Sequence, residues 1–510
     1  ATPRDIPAAA PARSATLIIL GGALALAAAA RLIGLDAIPL GLWRDEARYG
    51  LAALRILRDP SYRPVYLPDG IDYPGLLMYL TAAAIKLIGV RIETVRLVAA
   101  VAGTLTPVAL YAFGRHIAGR RAALSASVMV AVSAWHIALS RISFVAVLEP
   151  FLTMGGLALL WSALHLPKGS RQRWLPFASA GLSFGLALYT YHTARILPAL
   201  LLLLLLTALG RSAERWRAAL PGVLLMGAVL AAVVAPLASY AVTNADDFNL
   251  RMGETALLRG AEEQAQSPVG ALNENLRRYA LMWHLHGEPN ARHYIPGRPM
   301  LDPIIGACFL IGLLLPLATP ERRFLAGWLA LELVPALLAE GAPHAVRAVG
   351  TIAPALLLAG IGLEQCLGLL ADRYRRPAAG AALAIVVIFN LNLYFRNVPF
   401  SPAVWDRFYV PETAMADYAR TTAPAAPVMV PRDLIKTDVG AYLLDGVPVQ
   451  TWSPNTPLAA QPAQTQILVS GIQTEAEQVW VNQNLRGLSP TAGARYPGTE
   501  RPVFWIYTLP

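Results

Sequence analysis

Charge is scarce in this sequence: 15% of its 510 residues are Asp, Glu, Lys or Arg, against roughly 25% in an ordinary soluble domain. That shortage excludes a cytosolic globular enzyme of normal build. Cysteine is scarcer still. The two present, Cys308 and Cys366, both fall inside apolar stretches, which argues against a disulfide framework and against a cysteine zinc site. What the chain has in abundance is apolar sequence, at 56% of residues, and its 42 Lys plus Arg outnumber 32 Asp plus Glu for a net charge of +10. In a soluble protein that excess would point to nucleic acid. Here the basic residues stand in short clusters between apolar runs, where they orient a membrane protein, so membrane lipids are the expected surroundings and nucleic acid is not a partner.

Eleven apolar runs are long enough to read as membrane spans, at about 15–35, 93–113, 122–139, 147–165, 175–190, 195–210, 218–240, 303–318, 324–340, 347–369 and 378–395. The first follows Arg4 and Arg13. Its Ala-rich end resembles a cleavable signal, but it is read as a retained helix with Arg31 snorkelling near its outer end. A further run at 74–89 carries Lys86, and the positive-inside rule decides its state. If it does not cross, the clusters Arg115/Arg120/Arg121, Lys168/Arg171/Arg173, Arg211/Arg215/Arg217, Arg322/Arg323 and Arg373/Arg375/Arg376 all fall on the cytoplasmic side. It is therefore expected to be a half-inserted or interfacial helix within a long first external loop.

The resulting topology, with a cytoplasmic N-terminus, puts 41–91, 140–150, 189–195, 241–302, 340–347 and everything after about 397 on the outer face. Within 241–302, Ser267-Pro268 reads as a cap with proline at the first helical position, and Leu272, Leu276, Tyr279 and Trp283 recur at helical spacing before Gly287. This amphipathic helix can lie on the membrane or cover a cavity. After 397 short strand-like runs (428–430, 447–452, 466–470, 503–509) alternate with helix-like ones (412–420, 474–485). The expected architecture is a polytopic α-helical membrane domain over 1–396, with external loops at about 36–92 and 241–302, followed by a soluble α/β domain over 397–510. The latter carries no Gly-rich phosphate fingerprint, so its fold implies no cofactor.

Chemistry-bearing residues collect on the outer face. Asp45 and Glu46 stand about ten residues beyond the first span. From spacing alone they read first as a helix start, with Asp45 as N-cap and Glu46 favouring the first-turn dipole, and second as a carboxylate base held at the membrane surface. Glu149 begins a span, where a carboxylate is either a solvated helix-start acid or a functional group. Two corners share one pattern, His192-Thr-Ala-Arg195 and His344-Ala-Val-Arg347, and a separation of three places His and Arg on one helix face. Two arginines directed at one site suit a phosphate or diphosphate, although each alone reads as a snorkelling helix end. Tyr189 and Tyr191 are expected as interface aromatics.

At these residues the sequence resembles the polytopic GT-C glycosyltransferases, especially the group containing the protein O-mannosyltransferases and the lipid A aminoarabinose transferase. The likeness runs over roughly 15–396. Its carriers are Asp45-Glu46, the Asp72-Tyr73-Pro74-Gly75-Leu76 segment, Arg141 with Glu149, the Tyr189-to-Arg195 corner, His344 with Arg347, and the 287–302 stretch that includes Arg292 and His293. The resemblance implies inverting transfer of a sugar from a polyprenyl-phosphate carrier to a protein, lipid or glycan hydroxyl, on the outer side of a bacterial inner or plasma membrane. It further implies that Asp45, Glu46 and Glu149 supply the catalytic carboxylates, with Asp45 the base. Arg195, Arg347, His192 and His344 would hold the donor phosphate, while Tyr191, Arg292 and His293 would contact acceptor or loop. Some GT-C enzymes use a divalent cation, yet no compact His/Asp/Glu ligand set stands out along the sequence, so no metal ligands are assigned.

Two other functions fit the composition. A transporter or flippase for a lipid-linked or anionic solute would place polar groups near the bilayer midplane, commonly within internal repeats, whereas here they cluster at helix ends and no repeat is apparent. A non-catalytic membrane subunit would leave Asp45, Arg195 and Arg347 idle.

Overall fold

The computed structural model describes residues 13–68, 70–167, 170–456 and 458–510; Arg4 and Lys168 lie outside them. The chain is a polytopic α-helical bundle with a C-terminal α/β unit. Among the described residues, seven helices are long and apolar enough to cross a membrane: Arg13–Leu32, Ile92–Ile117, Val145–His165, His192–Leu209, Ala213–Thr243, Val349–Gly368 and Asp372–Asn397. An eighth crossing arises if Arg120–Val132 and Ala134–Ser140, bent by 54° against each other, count as one. The remaining three expected spans appear as the helices Trp174–Ala187, Pro303–Leu314 and Pro320–Leu337. The first two are short, and the third is interrupted by Glu321, Arg322, Arg323 and Glu332. The 74–89 run forms the helix Leu76–Ile88, whose 13 residues fall short of the roughly 20 a crossing needs.

The bend at Ser133 explains a residue that the sequence misplaces. Arg31 does not snorkel; it is fully buried. Turning the chain at Ser133 strips the last carbonyls of the preceding helix of their intrahelical donors. Arg31 supplies replacements, with Nη1 donating to Ala131 O at 2.6 Å and Nη2 to Val130 O at 3.1 Å, while Nε reaches Ser140 Oγ at 3.2 Å. Arg141 does the same for the end of the first helix, donating to the carbonyls of Ala30, Ile33, Gly34 and Ile38.

The amphipathic helix forms as Pro268–Met282, with Ser267 Oγ accepting from Gly270 N at 3.1 Å. Its buried stripe is Ala271, Asn275, Tyr279 and Met282, whereas Leu272 and Leu276 are exposed. Asn275 shifts the stripe by one position, because its amide donates to Leu337 O and Ala339 O and so turns that side inward. Two further helices, Ala245–Glu254 and Leu257–Glu263, fill the stretch before it.

The C-terminal unit has a five-stranded sheet in the order Gln450–Trp452, Val428–Pro431, Gln466–Ser470, Pro502–Thr508, Thr491–Arg495, parallel over the first three and antiparallel over the rest. Strand Thr491–Arg495 lacks the β-branched run that marks the others, and sequence reading passes over it. The unit has no separate core on its membrane side. Leu42, Ala47, Tyr49 and Ala53 of the first loop share one apolar cluster with Val410, Leu434, Tyr442 and Phe504, and Arg48 pairs with Asp438 at 2.9 Å across the joint.

Candidate active site

The helix Arg44–Arg58 fixes the first carboxylates. It starts two residues earlier than the sequence suggests, after Trp43 in extended backbone (φ −72°, ψ 145°), so Asp45 is the second helical residue and not the N-cap. Glu46 completes the start by accepting from Trp43 N at 3.0 Å. Its carboxylate is wholly buried and fully committed: Arg96 binds both oxygens, at 3.0 and 3.2 Å, and Ser143 N donates at 3.0 Å. Arg96 also gathers the carbonyls of Leu35, Pro39 and Gly41. Glu46 therefore ties the first loop to the second and leaves no lone pair for substrate.

Asp45, one residue back, points the other way. Its side chain keeps 24% of its surface exposed and lies 3.7 Å from Arg44 Nε. Burial raises its pKa above the ordinary aspartate value, against the opposing pull of Arg44, Arg292, Arg48 and Arg251. Arg292 arrives from the 287–298 loop with its guanidinium 5.0 Å from the Trp43 ring centre. Gly287 permits that loop, since a Cβ there would stand 1.7 Å from Arg298 O.

Beside Asp45 lies an aromatic and cationic cluster. The Tyr73 and Tyr191 rings pack with centres 5.5 Å apart, and Arg347 acts electrostatically on Tyr191. Burial raises both phenols, with Arg251 pulling each down and Arg347 acting on Tyr191 as well. His192 packs 5.3 Å from the Tyr73 ring, and its buried Nε2 has no hydrogen-bond partner among the described residues. Tyr49 extends the cluster on the Asp45 side, where both Tyr73 and Asp45 act on it. Arg347 is anchored by the Glu340 carbonyl.

The second arginine of this cluster is Arg251, which motif reading missed because it sits in an exposed helix without a motif. Arg195 turns away. Its guanidinium stacks on Phe248 at 4.2 Å, donating to Phe248 O and Asn249 Oδ1 at 3.2 Å, and so clamps the helix Ala245–Glu254 that carries Arg251. Glu149 also stands apart. It is buried, accepts from Thr153 Oγ1 at 2.9 Å, and faces Glu332 across Gly350, where a Cβ would lie 2.1 Å from Glu332 Oε2 and 3.3 Å from Glu149 Oε2.

Along the sequence no metal ligands group together, but among the described residues the fold assembles one set. Glu288, His293 and His344 bring their ligand atoms within 4.8 Å of one another. The His293 and His344 rings lie 4.6 Å apart, and His293 Nδ1 is 2.5 Å from Glu288 Oε1. A gap of 51 residues between the two histidines hides this grouping from any spacing rule.

Residues 72–240 match the family model described as dolichyl-phosphate-mannose-protein mannosyltransferase. That segment contains Tyr73, Tyr191 and His192, while Asp45, Tyr49, Arg251 and Arg347 lie outside it. Among solved structures, the fold is similar to ArnT from Cupriavidus metallidurans bound to undecaprenyl phosphate, with 15% identity over 97% of this chain and 98% of that one and a TM-score of 0.55. The fold is that of the GT-C membrane glycosyltransferases. The same GT-C fold appears in the oligosaccharyltransferase AglB from Archaeoglobus fulgidus, in complex with an inhibitory peptide and a dolichol-phosphate; the identity is 13%, over 84% of this chain and 63% of that one, with a TM-score of 0.53. Comparison with curated proteins finds no match. Because the ArnT likeness covers nearly the full length of both chains, the GT-C resemblance includes the C-terminal α/β unit as well as the helical bundle.

Proposed function

We propose that this protein moves a sugar from a polyprenyl-phosphate carrier to an acceptor hydroxyl at the outer membrane face, with Asp45 as general base. The observation carrying this reading is the meeting of Asp45, from the first loop, with Tyr73 and Arg251, next to Tyr191 on which Arg347 acts. A carboxylate with its pKa raised by burial suits proton abstraction, and two guanidiniums in the same cluster suit a phosphate. In the reaction the acceptor oxygen attacks the anomeric carbon, its proton passes to Asp45, and the bond from that carbon to the phosphate oxygen breaks. Polyprenyl phosphate leaves with its charge met by Arg347 and Arg251. One displacement without a covalent enzyme intermediate inverts the anomeric centre. His192, with its unpaired Nε2, is placed to bond a donor oxygen. Tyr191 packs against Tyr73. Glu46 positions the loop, and Arg195 acts through Arg251.

The test is release of polyprenyl phosphate from purified polyprenyl-phospho-sugars by the full chain in detergent or liposomes, with product configuration read by NMR. Turnover with inversion supports the reading. A wild-type chain that hydrolyses or transfers none of a panel of such donors, yet moves them between leaflets, would favour a flippase.

A further inference from the structure

We propose that Glu288, His293 and His344 form a binding site for a zinc-class divalent cation, an ion that fastens together the two loops presenting Arg292 and Arg347. Glu288 and His293 are 2% and 4% exposed. Ligand bonds of about 2.0–2.2 Å in a tetrahedral site set donor atoms roughly 3.3 Å apart, so a set already within 4.8 Å needs only side-chain adjustment. Two imidazoles and one carboxylate favour zinc or cobalt over magnesium or calcium, which prefer all-oxygen shells. Three protein donors leave a fourth position for water or another oxygen ligand.

The surroundings have the outer support that metal ligands require. Glu288 Oε2 accepts from Ala345 N at 2.5 Å, so the carboxylate is already aimed across the gap between the two loops. Gly297 N donates to Glu288 O at 2.8 Å, holding the carboxylate's own backbone, and Phe144 meets the His293 ring edge to face with centres 5.2 Å apart. In the metal-free arrangement a proton on His293 Nδ1 bridges to Glu288. The cation would replace that proton as the bridge, with His293 then carrying its proton on Nε2. Arg292 adjoins His293, and Arg347 lies three residues beyond His344, so the ion would fix the separation of Arg292, which acts on Asp45, from Arg347, which acts on Tyr191.

The site is tested without substrate, which keeps it separate from the transferase reading. Full-length protein in detergent, stripped with a chelator, is dialysed against Zn²⁺ and counted by elemental analysis, and Co²⁺ loading is read by visible absorption. One ion per chain with a tetrahedral Co²⁺ spectrum is expected, together with at least a tenfold loss of affinity in His293→Ala and His344→Ala. Glu288→Gln, which keeps the acceptor for Ala345 N but removes the charge, guards against misfolding and should bind more weakly with an unchanged melting temperature before metal is added. Failure of the stripped wild type to take up one equivalent overturns the proposal, as does equal uptake by Glu288→Gln and both histidine variants.

Discussion

At the scale of single residues, Asp45 and Glu46 show how one helix start separates a chemical carboxylate from a structural one. Glu46 sits within a closed set of donors; Asp45 meets partial solvent and four surrounding arginines that do not close on it. Asp45→Asn should fold normally and lower turnover about a hundredfold or more, as loss of a general base does. Glu46→Gln should instead leave Arg96 buried without its counter-charge, and breaking such a pair costs about 3–5 kcal/mol. Thermal melting and turnover measured on both variants check the split; a melting temperature unchanged in Glu46→Gln would reject the structural role. The pH profile follows from the sign of the shift. Asp45 must be ionised to accept a proton, and burial raises its pKa, so the acid limb of turnover should lie above the ordinary aspartate value. Arg292 opposes that rise, so Arg292→Gln should move the limb to still higher pH. A limb that does not move, or moves down, would separate Arg292 from the base. For the phosphate, Arg347→Ala and Arg251→Ala should each weaken donor binding tenfold to a hundredfold, matching about 1.5–3 kcal/mol for a charge-assisted contact. Lysine in either place should restore only part of it. Arg195→Ala should have a smaller effect, traceable to loosening of the Ala245–Glu254 helix.

At the scale of elements, the site is assembled from helix starts and loop corners whose own sequences announce only part of it. The Asp45 helix and the Ser267 cap are legible because local rules write them: acidic residues in a first turn, serine before proline. Arg251, Tyr49 and the Glu288–His293–His344 set are not legible in that way, since each depends on contacts between distant segments. Arg31 shows the same limit from the other side. An arginine at the end of an apolar run reads as snorkelling when the alternative is lipid, and nothing local to it reveals that Ser133 breaks a helix a hundred residues on. The bend supplies the missing acceptors. Arg31→Met should therefore strand the Val130 and Ala131 carbonyls at about 1–3 kcal/mol each, lowering the melting temperature of the detergent-solubilised protein. An unchanged melting temperature would return Arg31 to the lipid interface.

At the scale of the molecule, the apolar joint between the first loop and the C-terminal unit governs how the site is supported. A soluble domain that merely recruited acceptor could be removed with the donor site intact. Here Tyr49 and the C-terminal core belong to one cluster, and Arg48 reaches Asp438 from the same helix that carries Asp45. Gly50 tests that coupling with a single atom. A Cβ at this position would lie 2.5 Å from the ring of Tyr442, whose side chain is wholly buried and bonds Arg91 O at 3.1 Å. Alanine in a helix gains about 1 kcal/mol over glycine from propensity. Overpacking a rigid core costs about 1–3 kcal/mol, and displacing the Tyr442 hydroxyl forfeits about 0.5–1.5 kcal/mol more. The losses outweigh the gain. Gly50→Ala should lower both melting temperature and turnover although the added methyl is directed at Tyr442 and not at substrate. Adding Tyr442→Leu should recover part of the turnover, because the smaller side chain vacates the space the new methyl needs. If Gly50→Ala matches wild type in both measurements, the joint is too soft to transmit strain and the C-terminal unit acts independently of the Asp45 helix.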